Sequence, residues 1–261
     1  MNKYSLYYKL LYFKGEKLKK ILTIALLQCS LITVSLSAGQ MNQRAYEAVQ
    51  KRAEKGDANS QFALGGMHYQ GIVTSKNHKK AAELFTKAAN QGHTKAMFNL
   101  AVMYQNGDGV KKDSDEAVEL FSEAANDGDN KSAMHLADMY YNGTGVDQNY
   151  KKAFHWYKQA ADAGFPMAQH KIGLMYKTGK GAKKNMQMAK SYLTKSAQQS
   201  CHEAQFVLGK MYLEGDGVSR DEKEAEELIK NSYLNGNEEA KSVLDEKNWT
   251  VQSAGVTLPK E

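Results

Sequence analysis

A period of 36 residues runs through most of this chain and constrains its fold more than any other feature. Gly71 returns as Gly107, Gly143, Gly179 and Gly215, with no insertion or deletion between the copies. The columns that begin at Leu64, Met67 and Ala81 keep the same period. A repeat of this length predicts a stack of two-helix units rather than one globular core.

Each copy holds two segments with helical periodicity, joined by a glycine-containing loop. In the first copy these segments are 59–70 (helix A) and 78–90 (helix B). Leu64 and Met67 lie three residues apart on helix A, and Leu84 and Phe85 mark the apolar face of helix B. One hairpin cannot bury both apolar faces by itself, so neighbouring copies are expected to pack against each other.

The repeated pattern resembles a known family. The letters A-x-x-x-L-x-x-x-Y-x-x-G-x-G-V, followed by A-x-x-x-[FWY] and A-A-x-x-G, resemble the Sel1-like repeat, a relative of the tetratricopeptide repeat. The second copy carries the pattern from Ala96 to Val110 and then at Ala117, Phe121 and Ala124 to Gly128. The resemblance covers roughly Ala45 to Leu244. It implies an all-α fold, an α-solenoid of helical hairpins, and a role in binding other proteins.

The register of the copies predicts the domain organisation. We expect an N-terminal signal peptide, followed in order by a capping half-repeat, five repeats, a C-terminal capping helix and a flexible tail. These segments are 1–38 (signal peptide), 41–56 (first cap), 57–92, 93–128, 129–164, 165–200 and 201–237 (repeats), 238–247 (last cap) and 248–261 (tail).

The first 38 residues have the layout of a secretory signal. A lysine-rich segment precedes the apolar run Ile21 to Leu36, and small residues follow it. Cleavage after Ser37 or Gly39 would make the protein periplasmic or secreted. The alternative is an uncleaved inner-membrane anchor with the repeats in the periplasm, because Ile21 to Ala38 approaches the length of about 18–20 apolar residues that spans a bilayer. Contact with a membrane is expected only through this segment.

The net charge of +6 does not indicate nucleic-acid binding. Six lysines and a single acidic residue fall in 1–38, which leaves 29 basic and 28 acidic residues in the rest of the chain. With both signs interspersed, the repeats are expected to lack the basic face that nucleic acids require.

The sequence predicts no catalytic residue. Some Sel1-like proteins have been linked to penicillin binding and hydrolysis, so an envelope hydrolase of β-lactamase-like or peptidoglycan-linked type is the alternative function. That chemistry needs Ser-x-x-Lys, and no serine of this chain has a lysine three residues later. Lys177-Thr178-Gly179 matches a K-T-G element in letters, but Gly179 is the loop glycine of the fourth copy.

No metal or cofactor is expected either. The seven histidines fall in different columns, and none forms an H-x-x-x-H or H-E-x-x-H pair. Cys29 lies in the apolar run of the signal, so Cys201 would be the single thiol after export, and we expect it to be partly exposed in a turn.

The remaining candidate is a binding surface. In the related tetratricopeptide architecture helix A lines the concave side, and by that analogy an extended peptide or partner helix would contact the inward columns. The predicted groove residues are Phe62, Tyr69, Phe98, Gln105, Met134, Asp138, Tyr141, His170, Lys177, Phe206, Lys210 and Leu213. The alternative for the Phe62 column is packing against the next repeat.

These observations predict an exported interaction scaffold rather than an enzyme. Its partner would be a protein or peptide that the sequence does not identify. A membrane-tethered spacer is a second alternative, which retention of Met1 in the exported protein would support.

Overall fold

The computed structural model describes residues 43–251, and this part of the chain contains twelve helices and no strand. The helices are α1 (43–54), α2 (Ala58–Gln70), α3 (His78–Ala89), α4 (Thr94–Asn106), α5 (Ser114–Asn126), α6 (Asn130–Asn142), α7 (Tyr150–Asp162), α8 (Pro166–Thr178), α9 (Met186–Gln198), α10 (His202–Glu214), α11 (Glu222–Leu234) and α12 (Glu239–Lys247). The predicted signal, 1–38, lies outside the described residues. Within 43–251 no helix combines the length and the apolar character that crossing a bilayer would demand.

The chain divides into two compact units after Gln91. The described part of the first unit holds α1, α2 and α3. Its core joins Ala53 of α1, Leu64 of α2 and Leu84 of α3. The side chains of Tyr46, Val49 and Met67 pack around them, so the lone helix α1 is the element that covers one side of the first hairpin.

The second unit, whose described part is 92–251, holds α4 to α12, and its main contacts join consecutive helices. The hairpins α4–α5, α6–α7, α8–α9 and α10–α11 each pack on the next one, and α12 packs on α11. Contacts that are mostly local along the chain are the property that defines a solenoid. The fold is therefore the predicted all-α solenoid of helical hairpins.

One buried column of helix B joins the two helices of each repeat. Its members are at most 1% exposed, and they are Phe85, Phe121, Tyr157, Leu193 and Ile229. Small residues face them from helix A: a Cβ added to Gly209 would lie 2.7 Å from Ile229, and one added to Gly173 would lie 2.7 Å from Leu193. The close approach of the helices therefore depends on large side chains opposite glycine or alanine.

Polar residues fix where each helix B begins. Asn185 precedes α9, and its side chain accepts a hydrogen bond from the Met188 amide at 3.0 Å. The amide of Asn185 also donates to the Tyr176 carbonyl of α8 at 2.9 Å. An Asn or Asp occupies this position in all five repeats, and each caps the following helix (Asn77, Asp113, Asn149, Asn185 and Asp221).

Each buried glutamine side chain lies where a second side-chain amide can donate a hydrogen bond to it. Gln169 is 6% exposed; its side chain donates to the Ala161 carbonyl at 3.3 Å and accepts from Gln199 at 2.9 Å. Gln61 and Gln205 make the equivalent bonds with Gln91 and Asn235. The equivalent positions of the second and third repeats hold Met97 and Ala133, which need no polar partner.

The start of the segment predicted to be a flexible tail is packed. Trp249 and Val251 lie against the cluster of Ile229, Ala240 and Leu244. The Trp249 amide also donates to the Leu244 carbonyl at 2.9 Å. Because helical periodicity ends at Lys247, the sequence pattern gave no sign of this contact.

The third residue of each loop motif, which reads G-x-G in four repeats, adopts a left-handed backbone conformation. It is glycine in four repeats; an added Cβ at Gly181 would collide with the Tyr150 carbonyl, and one at Gly145 would lie 2.6 Å from the Ser114 hydroxyl. The first repeat has Val73 at this position, with φ of 65°. A β-branched side chain is strained there.

We expect Val73→Gly to stabilise the protein. Relief of about 1–3 kcal/mol of strain exceeds the cost of about 1 kcal/mol for the extra freedom of glycine in the unfolded chain, and Val73 is already 40% exposed. The melting temperature measured by circular dichroism should rise by about 2–4 °C. Ile72→Gly, which removes no strain at the neighbouring exposed residue, is the control and should not raise it.

His170 is a predicted groove residue that the structure places in the interior. It is 6% exposed, and neither ring nitrogen has a hydrogen-bond partner among residues 43–251. Burial lowers the pKa of His170 to about 4; the nearby Glu203 acts against this shift, and Lys171 and His202 act in the same direction as burial. His170 is therefore a neutral packing residue at neutral pH, which corrects its assignment to the groove.

This burial predicts an acid-sensitive fold. Below the unfolded pKa of 6.5 the unfolded chain binds a proton that folded His170 does not bind, so stability present above pH 6.5 is lost as the pH falls towards about 4. Between pH 6.5 and 4.5 wild type should lose about 2 kcal/mol more unfolding free energy than His170→Phe. Phenylalanine is the natural residue at the equivalent positions Phe98 and Phe206.

Urea unfolding at both pH values measures this difference. His155→Phe replaces an exposed histidine of α7 and should follow the wild type. Equal losses in wild type and His170→Phe would contradict the assignment of the acid sensitivity to His170.

Candidate interaction surface

Two of the predicted groove residues belong to the first unit, and both are half-buried. The Phe62 ring lies 5.8 Å from the Phe85 ring of α3. The Tyr69 ring stacks on His78 at 4.6 Å with an interplanar angle of 13°. In this unit, Phe62 therefore packs against Phe85 of the buried helix-B column, and Tyr69 packs against His78 at the end of the hairpin that carries the loop.

In the second unit, Phe98 also contributes to packing. Its ring meets Phe121 of α5 edge-on at 5.6 Å and His135 of α6 at 5.1 Å. Met134 is partly buried against the central core cluster. Within the second unit, Phe98 therefore lies between the A helices α4 and α6 with part of its side chain exposed, as the alternative interpretation of this column expects.

In the third repeat, three tyrosines and an aspartate contact one another. The buried hydroxyl of Tyr157 donates a hydrogen bond to Asp138. Burial, followed by this hydrogen bond to a carboxylate, raises the pKa of Tyr157 far above its usual range. Asp138 is thus fixed by an internal partner. Tyr141, one turn further along α6, is half-buried and meets the rings of Tyr150 at 5.2 Å and Tyr157 at 6.2 Å, both edge-on.

A lysine from the next repeat reaches Tyr141. The Lys180 ammonium lies 5.7 Å from the centre of the Tyr141 ring and 5.1 Å from that of Tyr150. Such a cation–π contact contributes about 0.5–1 kcal/mol at an exposed site. It places a positive charge beside Tyr141 and Tyr150, which are both half-buried. Gln105, on the equivalent turn of α4, is half-buried.

The C-terminal groove residues are partly engaged. The Lys177 ammonium pairs with Asp216 at 2.6 Å, and this pairing lowers the pKa of the Asp216 carboxyl. Phe206 and Leu213 pack partly buried against the cluster formed with α12. Lys210 is exposed, 3.8 Å from Glu214 and 5.8 Å from the centre of the Phe206 ring.

The residues that match the K-T-G element make the contacts of a helix C-terminus. The Thr178 hydroxyl donates to the Leu174 carbonyl at 2.8 Å, and Gly179 ends α8 in the left-handed conformation. Within residues 43–251, no cluster of three or more His, Cys, Asp or Glu side chains is arranged to hold a metal ion. The letters K-T-G therefore reflect the end of a helix.

Cys201 differs from its expected position. It is 8% exposed rather than in an open turn, precedes α10 as its N-cap residue and lies 3.2 Å from the Glu203 carboxylate. Burial raises the pKa of its thiol. The thiol is therefore protected in the folded protein.

Sequence reasoning missed Lys180 and Tyr150. Both lie beside Tyr141, one in the loop after α8 and one at the first position of α7. Lys180 lies between the loop glycines of the fourth repeat and Tyr150 follows the capping residue Asn149, but only the packing of one loop on the next reveals that they meet.

Solved structures similar to this chain are Sel1 repeat proteins. A Sel1 repeat protein from Oxalobacter formigenes is 32% identical, with a TM-score of 0.66, over 80% of this chain and 88% of that chain. A protective antigen of uropathogenic Escherichia coli with an SLR fold is 29% identical, with a TM-score of 0.56, over 80% of this chain and 53% of that chain. No curated protein matched the sequence.

The family comparison agrees with the internal period. The Sel1 repeat model matches residues 58–93, 94–129, 130–165, 166–201 and 202–237, and each match begins one residue after the predicted start of that repeat. The matches are consecutive and cover well over half of the chain, so this protein belongs to the Sel1 repeat family.

Proposed function

We propose that this protein is a non-catalytic scaffold that binds an extended segment of a partner protein on the helix-A face of its second unit. Sel1 repeats generally mediate protein–protein interactions. The observation that carries the proposal is Tyr141, a half-buried aromatic residue whose ring is held edge-on by Tyr150 and Tyr157. A rigid, partly exposed tyrosine is the type of residue that contributes most to binding at protein interfaces.

The contacts around Tyr141 support a surface that is ordered before binding. The hydrogen bond from the Tyr157 hydroxyl to Asp138 fixes both side chains beneath Tyr141. The Lys180 ammonium lies over the Tyr141 ring. Since these side chains are already ordered, a partner would lose little affinity to immobilising them. Gln105 and Lys210 extend the same helix-A face along the unit, where each adds a polar contact.

We propose further that the scaffold acts outside the cytoplasm. The basic and apolar segments of residues 1–38 support export, either with cleavage of the signal or with retention as an inner-membrane anchor. A partner would then be a protein of the cell envelope or of the surroundings. N-terminal sequencing of the exported protein separates cleavage from anchoring.

Photo-crosslinking tests the proposed surface. With p-benzoylphenylalanine at position 141 of the full chain, ultraviolet light should join a discrete partner to the scaffold, whereas the same residue at exposed position 155 on helix B should not capture it. Mass spectrometry of the crosslinked product identifies the partner and the segment in contact.

The purified partner then allows a quantitative test. Tyr141→Ser should weaken its binding by at least about tenfold, a loss of about 1.4 kcal/mol, because a central aromatic contact is removed. Tyr140→Ser changes the neighbouring half-buried tyrosine, which lies on another side of α6, and is the matched control. Circular dichroism should show that both variants keep their helices. Unchanged binding by Tyr141→Ser, or equal crosslinking from positions 141 and 155, would contradict the proposal.

A further inference from the structure

We infer that the fourth repeat, 165–200, is a docking site for an acidic polypeptide segment, an inference that rests on the proposed function and names the chemistry of its partner. The repeat carries seven lysines and no aspartate or glutamate. The lysines are Lys171, Lys177, Lys180, Lys183, Lys184, Lys190 and Lys195. We call this set the lysine surface.

The near-neutral total of the repeats conceals this separation of charge. The second repeat, 93–128, has three lysines and seven acidic residues, and the fifth, 201–237, has four basic and eight acidic residues. The expectation of interspersed charge therefore holds for the sum of the repeats and is wrong for the fourth. A charge of +7 on a single hairpin attracts anions much more strongly than the total suggests.

The positive charge of the lysine surface is mostly unneutralised. Lys177 pairs with Asp216 at 2.6 Å. Among the described residues, no carboxylate oxygen lies within 4.0 Å of the other six ammonium groups. Several of these lysines instead lie over aromatic rings, such as Lys190 at 5.2 Å from the centre of Tyr212. An ammonium held by a ring keeps its full charge, and its position is better defined than that of a free lysine.

Two successive loops form a cleft within this positive region. The cleft has a volume of about 520 Å³ and is lined by residues 148–151 and by Gly179, Gly181, Ala182 and Lys183. Lys151 and Lys183 border it, and Lys180 lies over the ring of Tyr150, which also lines it. A carboxylate side chain entering the cleft would meet ammonium groups from two repeats.

The cleft adjoins the surface proposed for partner binding. Lys180 contacts both Tyr150 in the cleft and Tyr141 on the helix-A face. A single extended segment could therefore place an apolar side chain against Tyr141 and acidic side chains beside the lysines. We therefore expect the partner segment to carry acidic residues close to one aromatic or aliphatic residue.

The acidic fifth repeat argues for a short acidic segment rather than a nucleic acid or a membrane. Helices pack about 8–10 Å apart, which is close to the screening length of about 8 Å at physiological ionic strength. The acidic first turn of α11, with Glu222 and Glu224, belongs to the fifth repeat, which packs directly on the fourth. An extended polyanion would meet these carboxylates, whereas a peptide confined to one repeat would not.

A labelled 12-residue peptide of alternating glutamate and alanine is a suitable probe. Because residues 1–38 also carry six lysines, the measurement must locate the bound peptide. Hydrogen-exchange mass spectrometry of the full chain should show slower exchange in loop 179–185 when the peptide is present and no change in the equivalent loop 107–113. The slowing should weaken when sodium chloride is raised from about 20 to 150 mM.

The second repeat offers a matched control variant. Lys183→Gln/Lys184→Gln should reduce protection of loop 179–185 at least fivefold, on the order expected when charges that steer binding are removed. Lys111→Gln/Lys112→Gln removes the same two charges at the equivalent positions and should leave that protection unchanged. Lys183→Arg/Lys184→Arg should retain binding, which separates loss of charge from damage to the loop.

Several results would overturn the inference. These are protection that survives in Lys183→Gln/Lys184→Gln, equal or tighter binding of a 12-base-pair duplex or of phosphatidylglycerol vesicles at the same loop, or a salt-sensitive dimer of this chain that covers the loop. If the peptide fails to bind while position 141 still captures a partner, the acidic chemistry is wrong and the proposed scaffold stands. If the lysines bind the peptide while position 141 captures nothing, the acidic site stands without that scaffold.

Discussion

The contact between helix A and helix B within each repeat is the interaction on which the rest of the structure depends. A large side chain of helix B, at most 1% exposed in every copy, fills the space beside glycine or alanine of helix A. Burying such a side chain contributes about 1.5–3 kcal/mol. Because this contact sets the distance between the helices, it also determines which side chains remain at the surface of each hairpin.

The third repeat shows how a change in this column can shape a binding surface. Tyr157 occupies the position that phenylalanine holds in the first two repeats, so it brings a hydroxyl into the core. A buried hydroxyl without a hydrogen-bond partner would lower the stability of the fold. Asp138 accepts its hydrogen bond, so the core tyrosine fixes a carboxylate on the helix-A side. Tyr141 packs edge-on against the same ring. The rigidity that we propose for partner binding thus originates in the packing of the hairpin.

Charge follows a different rule from packing. The apolar columns must repeat, because each one fills an equivalent space in the core, but exposed positions are free to differ between copies. Lys180 occupies the position that Asp108 holds in the second repeat. Within residues 43–251, Lys177 pairs with Asp216, whereas no carboxylate oxygen lies within 4.0 Å of the Lys184 ammonium. One regular scaffold can therefore carry acidic and basic hairpins side by side without any change of backbone, which gives a repeat protein local binding chemistry that its total charge does not reveal.

The sequence by itself determined the fold, because a strict period of 36 residues with helical spacing leaves stacked hairpins as the only way to bury every apolar column. It also located the helix ends closely, since Asn or Asp caps and loop glycines recur in register. It could not separate half-buried groove residues from interior ones: His170 and Phe98 share a column, yet His170 is buried and Phe98 is partly exposed. Only the tertiary structure decided this, and only it brought Lys180 to Tyr141 and Trp249 to Leu244, because these contacts join loops and ends whose positions depend on how one hairpin packs on the next.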